Sequence, residues 1–112
     1  MGADDMHVVM YKVLAYLYDC MKRGEEPRKS RLAPGGDVAG PIPQSYWDEI
    51  MAQLADRGLV RGVSVIWADN SPTVVLARPT VTLEGVEFLQ DNSMMRRALK
   101  FLRETKSALP FV

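Results

Sequence analysis

Apolar residues between 5 and 23 recur at the helical period. Val9, Val13, Leu17 and Met21 fall on one line, and Met10 and Leu14 run beside it. Tyr11, Ala15 and Tyr18 widen the stripe, so the spacing predicts a helix packed against more than one neighbour. Asp4 or Asp5 is placed to cap its free N–H groups, and Gly24 to stop it in a left-handed conformation. The stretch 24–43, GEEPRKSRLAPGGDVAGPIP, breaks the pattern. Its prolines and glycines leave room only for short helical turns, around 31–33 or 37–39, within a surface loop. A second helix is predicted from Ser45, whose hydroxyl can accept the Asp48 N–H, with Asp48 in the first turn as an aspartate variant of the capping box. Tyr46, Trp47, Ile50, Met51 and Leu54 make its apolar face, and Gly58 ends it. The β-branched runs LVRGVSVIWA and TVVLAR, separated by DNSP, predict a hairpin. Thr82 is placed to cap a short helix, LEGVEFLQ, and Ser93 a last one over about 93–107.

Composition narrows the class. A chain of 112 residues is expected to form one domain over 1–112, and 47% hydrophobic with 25% charged residues is ordinary for a soluble globular protein. Lys plus Arg and Asp plus Glu both number 14, so no bulk charge draws the molecule to nucleic acid or membrane. Any electrostatic targeting must come from uneven placement. A lone Cys20 excludes an internal disulfide and fits a reducing cytoplasm; with a single His7 as well, a zinc site built from these two ligand types is out of reach. The acidic start, MGADDMHVVMYK, does not look like a secretory signal, and the apolar runs are far shorter than a bilayer span. The expectation is a soluble cytoplasmic protein with no membrane partner.

Three segments carry a family resemblance: YKVLAYLYDCMKRGEEP (11–27), IPQSYWDEIMAQLADRGLVRGV (42–63) and VTLEGVEFLQDNSMMRRALKFLRETK (81–106). The last is the most specific, with a Thr-led short helix, then DNSMM, then a basic helix. Together they resemble the YjcQ-like family of small winged-helix proteins, found largely in Gram-positive bacteria and their prophages. The resemblance implies an α+β fold, a winged helix-turn-helix with a β-hairpin wing and an additional C-terminal helix. It supplies no established activity and no catalytic residues. Similar sequences look helical before the Ile42–Pro43 pair, whereas this chain has APGGDVAGP, so the helix preceding the reader is expected to be short or irregular.

A winged helix-turn-helix raises the question of DNA. If the apolar face of the second helix is buried, its outward face is Ser45, Asp48, Glu49, Ala52, Gln53 and Asp56, with three carboxylates and no cation. Gln53 suits adenine, but the acids oppose phosphate, and Arg57 at the helix end offsets only part of that. The hairpin tip, Asp69-Asn70-Ser71-Pro72, has no cation either; Arg61 and Arg78 sit back toward its base. This helix therefore reads as scaffold rather than as a base reader. Positive charge concentrates elsewhere. From Ser93 to Ala108 five cations face the single Glu104, a net +4, with Arg96, Lys100 and Arg103 on one side of the helix. Residues 22–31, KRGEEPRKSR, hold Lys22, Arg23, Arg28, Lys29 and Arg31 against two glutamates, a net +3. If adjacent in space, the two patches can track a phosphate backbone; otherwise they are solvated faces balancing acids elsewhere.

No enzyme constellation stands out. His7 has no nucleophile or metal partner at a recognisable spacing, Asp48 and Glu49 diverge on their helix, and APGG lacks the Lys-Ser/Thr of a phosphate-binding loop. Cys20 reads as a small core hydrophobe, and Trp47 and Trp67 as core or contact residues. No cofactor, metal or small-molecule ligand is indicated. The leading expectation is a non-enzymatic nucleic-acid-binding or regulatory protein that contacts double-stranded DNA by its backbone. The candidate residues are Lys22, Arg28, Lys29, Gln53, Arg57, Arg96, Lys100 and Arg103. The alternative is a protein-interaction module on the same scaffold. Met94, Met95, Leu99 and Leu102 stripe the last helix opposite its cations, a stripe that either caps the domain core or meets a partner chain. The apolar Phe111 and Val112 after Pro110 make a sticky end unless they dock on a surface, and on the partner reading the chain is a homodimer through the C-terminal helix.

Overall fold

The first helix, α1 (Met6–Arg23), is buried on nearly every side, as its wide apolar stripe requires. In this computed structural model, which describes residues 1–106, α1 packs against three other helices and one strand of a hairpin. The order continues α2 (Lys29–Leu32), α3 (Gln44–Asp56), β1 (Val60–Ala68), β2 (Ser71–Val81), α4 (Leu83–Asp91) and α5 (Ser93–Glu104). The chain is α+β, with five helices and one two-stranded antiparallel hairpin among the described residues. Val8, Val9, Leu14 and Leu17 of α1 meet Ile50, Met51 and Leu54 of α3, Leu59 and Val81 at the hairpin base, and Met95, Ala98 and Leu102 of α5 in one cluster of buried side chains. Among the described residues no helix is long and apolar enough to cross a membrane.

The helix ends follow the expected chemistry at some points and depart at others. Gly24 and Gly58 both turn left-handed, and each closes its helix by paired backbone bonds: Gly24 and Glu25 donate to Met21 and Cys20, Gly58 and Leu59 to Ala55 and Leu54. Thr82 accepts the Gly85 N–H at 3.0 Å as expected, and its hydroxyl also donates to the Gly58 carbonyl at 2.6 Å, tying the end of α3 to the start of α4. Ser45 does not cap α3. The helix begins one residue earlier, with Pro43 at the cap position and Ser45 inside the first turn. The ring of Pro43 already fixes the entry angle, and its carbonyl receives the Trp47 N–H. Nor does Ser93 cap α5. Asn92 accepts from Met94 and Met95 while its own N–H closes α4 on Phe88, so one residue serves both helices. Asp5 stands at the cap of α1, but its carboxylate takes the Gly2 N–H instead.

The loop 24–43 is more ordered than its composition implies. It contains α2 at 29–32, starting two residues ahead of the turn anticipated around 31–33, and hydrogen-bonded turns after it. Arg31 clasps Asp37 by a bidentate pair, Nε to Oδ1 and Nη2 to Oδ2, both at 2.9 Å, and Trp47, buried, donates its indole N–H to the Leu32 carbonyl at 2.8 Å. The helix before α3 is thus short, as the APGGDVAGP sequence requires.

The second strand is longer than its β-branched run, 71–81 against 73–78. The hairpin turn is Asp69-Asn70 alone, both at positive φ as a two-residue type I′ turn needs, and Ser71 and Pro72 belong to β2. Near its base the register shifts between Arg61 and Val63. Gly62, at φ 73°, faces the carbonyls of Ala77 and Arg78 so closely that no side chain fits there. The last helix stops at Glu104, short of the anticipated 107, where Thr105 turns its hydroxyl back onto the Phe101 carbonyl at 2.9 Å. Phe111 and Val112 lie outside the described residues.

Candidate nucleic-acid interface

The cations of α5 follow from helical geometry. Met95, Ala98 and Leu102 turn inward, so Arg96, Arg97, Lys100 and Arg103 must lie on the opposite side, and all four are exposed. Lys100 leans on Glu104 at 3.8 Å, an exposed pair that leaves most of its charge available to other anions. The helix packs along α1, and between them and α4 runs a cleft of about 360 Å³. Tyr11, Ala15 and Tyr18 of α1 and Leu89, Met95 and Leu99 of the other helices form its apolar walls; Lys22 and Arg96 are its cations. The Lys22 ammonium sits 4.5 Å over the Tyr18 ring. Asp19 lines the same cleft, but Arg23 already holds its carboxylate at 3.2 Å. Burial pushes the Tyr11 hydroxyl above its ordinary pKa, and the nearby charge of Arg103 pulls it partly back. Lys22, Arg96 and Arg103 therefore all border the junction of α1 and α5.

Arg28 and Lys29 do not join them. The Arg28 N–H donates to the Tyr16 hydroxyl at 2.9 Å, and the Arg31 guanidinium lies 4.7 Å over the Tyr16 ring. Tyr16 and Tyr18 are two positions apart on α1, so they project roughly 200° apart around its axis. The basic segment 22–31 is thereby split: Lys22 goes to the α5 side, and Arg28 and Lys29 go to the α2 side. Arg31, counted in the same patch, is engaged by Asp37 and Tyr16.

Helix α3 keeps its acids outward. Asp56 is exposed; Asp48 and Glu49 are half-buried, and Asp48 accepts from the Gln44 side chain at 3.0 Å. Ala52, expected on the outward face, is buried, so that face is narrower than the apolar pattern implies. Tyr46 is only half-buried and ties the helix to the N-terminal segment through its hydroxyl, which donates to the Asp4 carbonyl at 2.7 Å. Gln53 and Arg57 are exposed but share a shallow depression with His7 and Met10 of α1 and with Phe88 and Met94. Cys20 is buried beside Tyr16. Among the described residues, no group of three His, Cys, Asp or Glu side chains is placed to hold a metal ion.

Sequence reasoning missed the cleft itself. The i, i+4 spacings of Asp19 with Arg23 and of Tyr18 with Lys22 were signals in the sequence that could have found two of its local contacts. No sequence signal placed Lys22 beside Arg96. No curated protein and no solved structure matches the chain. A family model described as YjcQ protein matches residues 11–108, from within α1 to beyond the end of α5, and the chain belongs to that family.

Proposed function

We propose that this protein is a non-enzymatic nucleic-acid-binding protein that grips phosphate with α5 and the end of α1, not with α3. The observation that carries the reading is the meeting of Lys22 with Arg96 at one cleft, which extends the α5 cations Lys100 and Arg103 onto a second element. The element order of helix, short helix, helix and hairpin is that of a winged helix-turn-helix, and we read the fold so. In that frame α3 occupies the position of the reading helix, yet its outward carboxylates repel phosphate. The hairpin offers no cation between Gly62 and Ala77. Contacts are therefore to the backbone, with little base discrimination.

Mobility shift of mixed-sequence duplex DNA tests this. Binding is expected at low salt and falls steeply as salt rises. Triple reversal R96E/K100E/R103E should abolish it, while Gln53→Ala should leave it unchanged. No retardation of any duplex at low salt would remove the proposal. A second reading, a protein-interaction module, is favoured by one specific feature: the exposed apolar side chains of the outer hairpin, Ile66, Trp67 and Val75.

A further inference from the structure

The outer hairpin is uncharged from Gly62 to Ala68 on β1, and its two edges differ in kind. In a two-residue hairpin the residues flanking the turn bond to each other, here Ala68 and Ser71. Alternation then turns the N–H and C=O of Val63, Val65 and Trp67 outward from β1, and those of positions 72, 74 and 76 outward from β2. On β2 the outward donor at 72 is missing, because the residue is proline. Further down, the β2 residues Arg78, Pro79 and Thr80 are flanked by the segment 24–27 and Met21. On β1 no proline, charge or bulge interrupts 63–68, and no described element pairs with its outer edge. Proteins protect such edges with charge, proline or cover. Here β2 carries such protection at Pro72 and along 78–80, and β1 carries none over 63–68.

We propose that the outer edge of β1 pairs antiparallel with β1 of a second copy of this chain about a two-fold axis, giving a four-stranded sheet. The longest overlap of the uncharged run centres the axis on Val65. Val65 then faces its own copy, and Val63 faces Trp67 of the other, a β-branched–aromatic pair. This parity is the one the outward groups require, since each of these residues exposes both its donor and its acceptor. A second copy fits better than an unrelated strand because the run is self-complementary: it brings no like charges together, and the chain as a whole is neutral. Growth stops at two, because the edges left free are the β2 strands with Pro72. Ile66 at 58%, Trp67 at 53% and Val75 at 48% exposure supply apolar surface around the junction. The inference is independent of the phosphate-contact reading.

Sedimentation equilibrium over a wide concentration range, with the full chain, is the test. The weight-average mass should rise from 12.5 kDa toward twice that value. Val65→Lys and Val65→Glu each put like charges opposite one another at the axis and should remain monomeric; an equimolar mixture of the two should recover the dimer. Val74→Lys, on the neighbouring strand, should dimerise as the unaltered chain does. A monomer at every concentration would overturn the proposal. So would dimers of both Val65 variants, failure of the mixture to associate, or equal loss in Val74→Lys. The mixing arm separates a lost interface from a lost fold.

Discussion

Single side chains in this molecule join segments far apart in sequence. Thr82 is the clearest case, since its one hydroxyl accepts from Gly85 and donates to Gly58. Thr82→Ala removes a cap and leaves a part-buried carbonyl short of a donor, an expected loss of about 1–2 kcal/mol that urea denaturation would measure. Thr82→Ser keeps the oxygen and should recover most of it. The Arg31–Asp37 clasp gives a smaller, pH-dependent effect. The guanidinium beside it holds the Asp37 carboxyl below its ordinary 3.8. A lowered carboxylate pKa means that the contribution is fully present above the unfolded value and is lost as pH falls through the folded one. Both partners are substantially solvent-exposed, so the contribution is about 1 kcal/mol or less. Asp37→Asn should therefore lower the urea midpoint slightly at neutral pH, and the difference should shrink as pH falls through the lowered Asp37 value.

At the scale of elements, periodicity located α1, α3, the hairpin and α5, because each buries a face with its own repeat. Ends were less legible. Ser45 and Ser93 both look like caps, yet each lies one or two residues inside its helix, because a neighbouring residue fixes the entry: Pro43 by its ring, Asn92 by its amide. This makes a sharp contrast available. Asn92→Ala should cost about 1 kcal/mol in thermal unfolding, and Ser93→Ala close to nothing. Equal losses would return the cap to Ser93. The extra length of β2 was also hidden, since Pro72 and Pro79 argue against strand in a sheet interior. In a hairpin of only two strands, every residue is on an edge, and the objection lapses.

At the scale of the whole molecule, a neutral chain makes no long-range attraction to DNA, so under the proposed function the salt dependence of binding is expected to arise from the α5 strip and Lys22. The slope of log affinity against log salt should be about −0.9 for each phosphate neutralised, and single reversal of Arg96 or Arg103 should flatten it by about one contact. The candidate site was half legible. The cations of α5 were visible as a stripe opposite an apolar one, because both lie on a single continuous helix. Lys22 and Arg28 were indistinguishable in sequence, as neighbours in one basic run. What the sequence alone determined were features that repeat or terminate locally without a competing neighbour: the amphipathic faces, the left-handed stops at Gly24 and Gly58, the Thr82 cap and the outward acids of α3. What only the tertiary structure decided was which of the charged segments adjoin. A helix presents Tyr16 and Tyr18 on nearly opposite sides, so the packing of α2 on one and α5 on the other sends Arg28 and Lys22 apart, and no local rule states which neighbour each face receives.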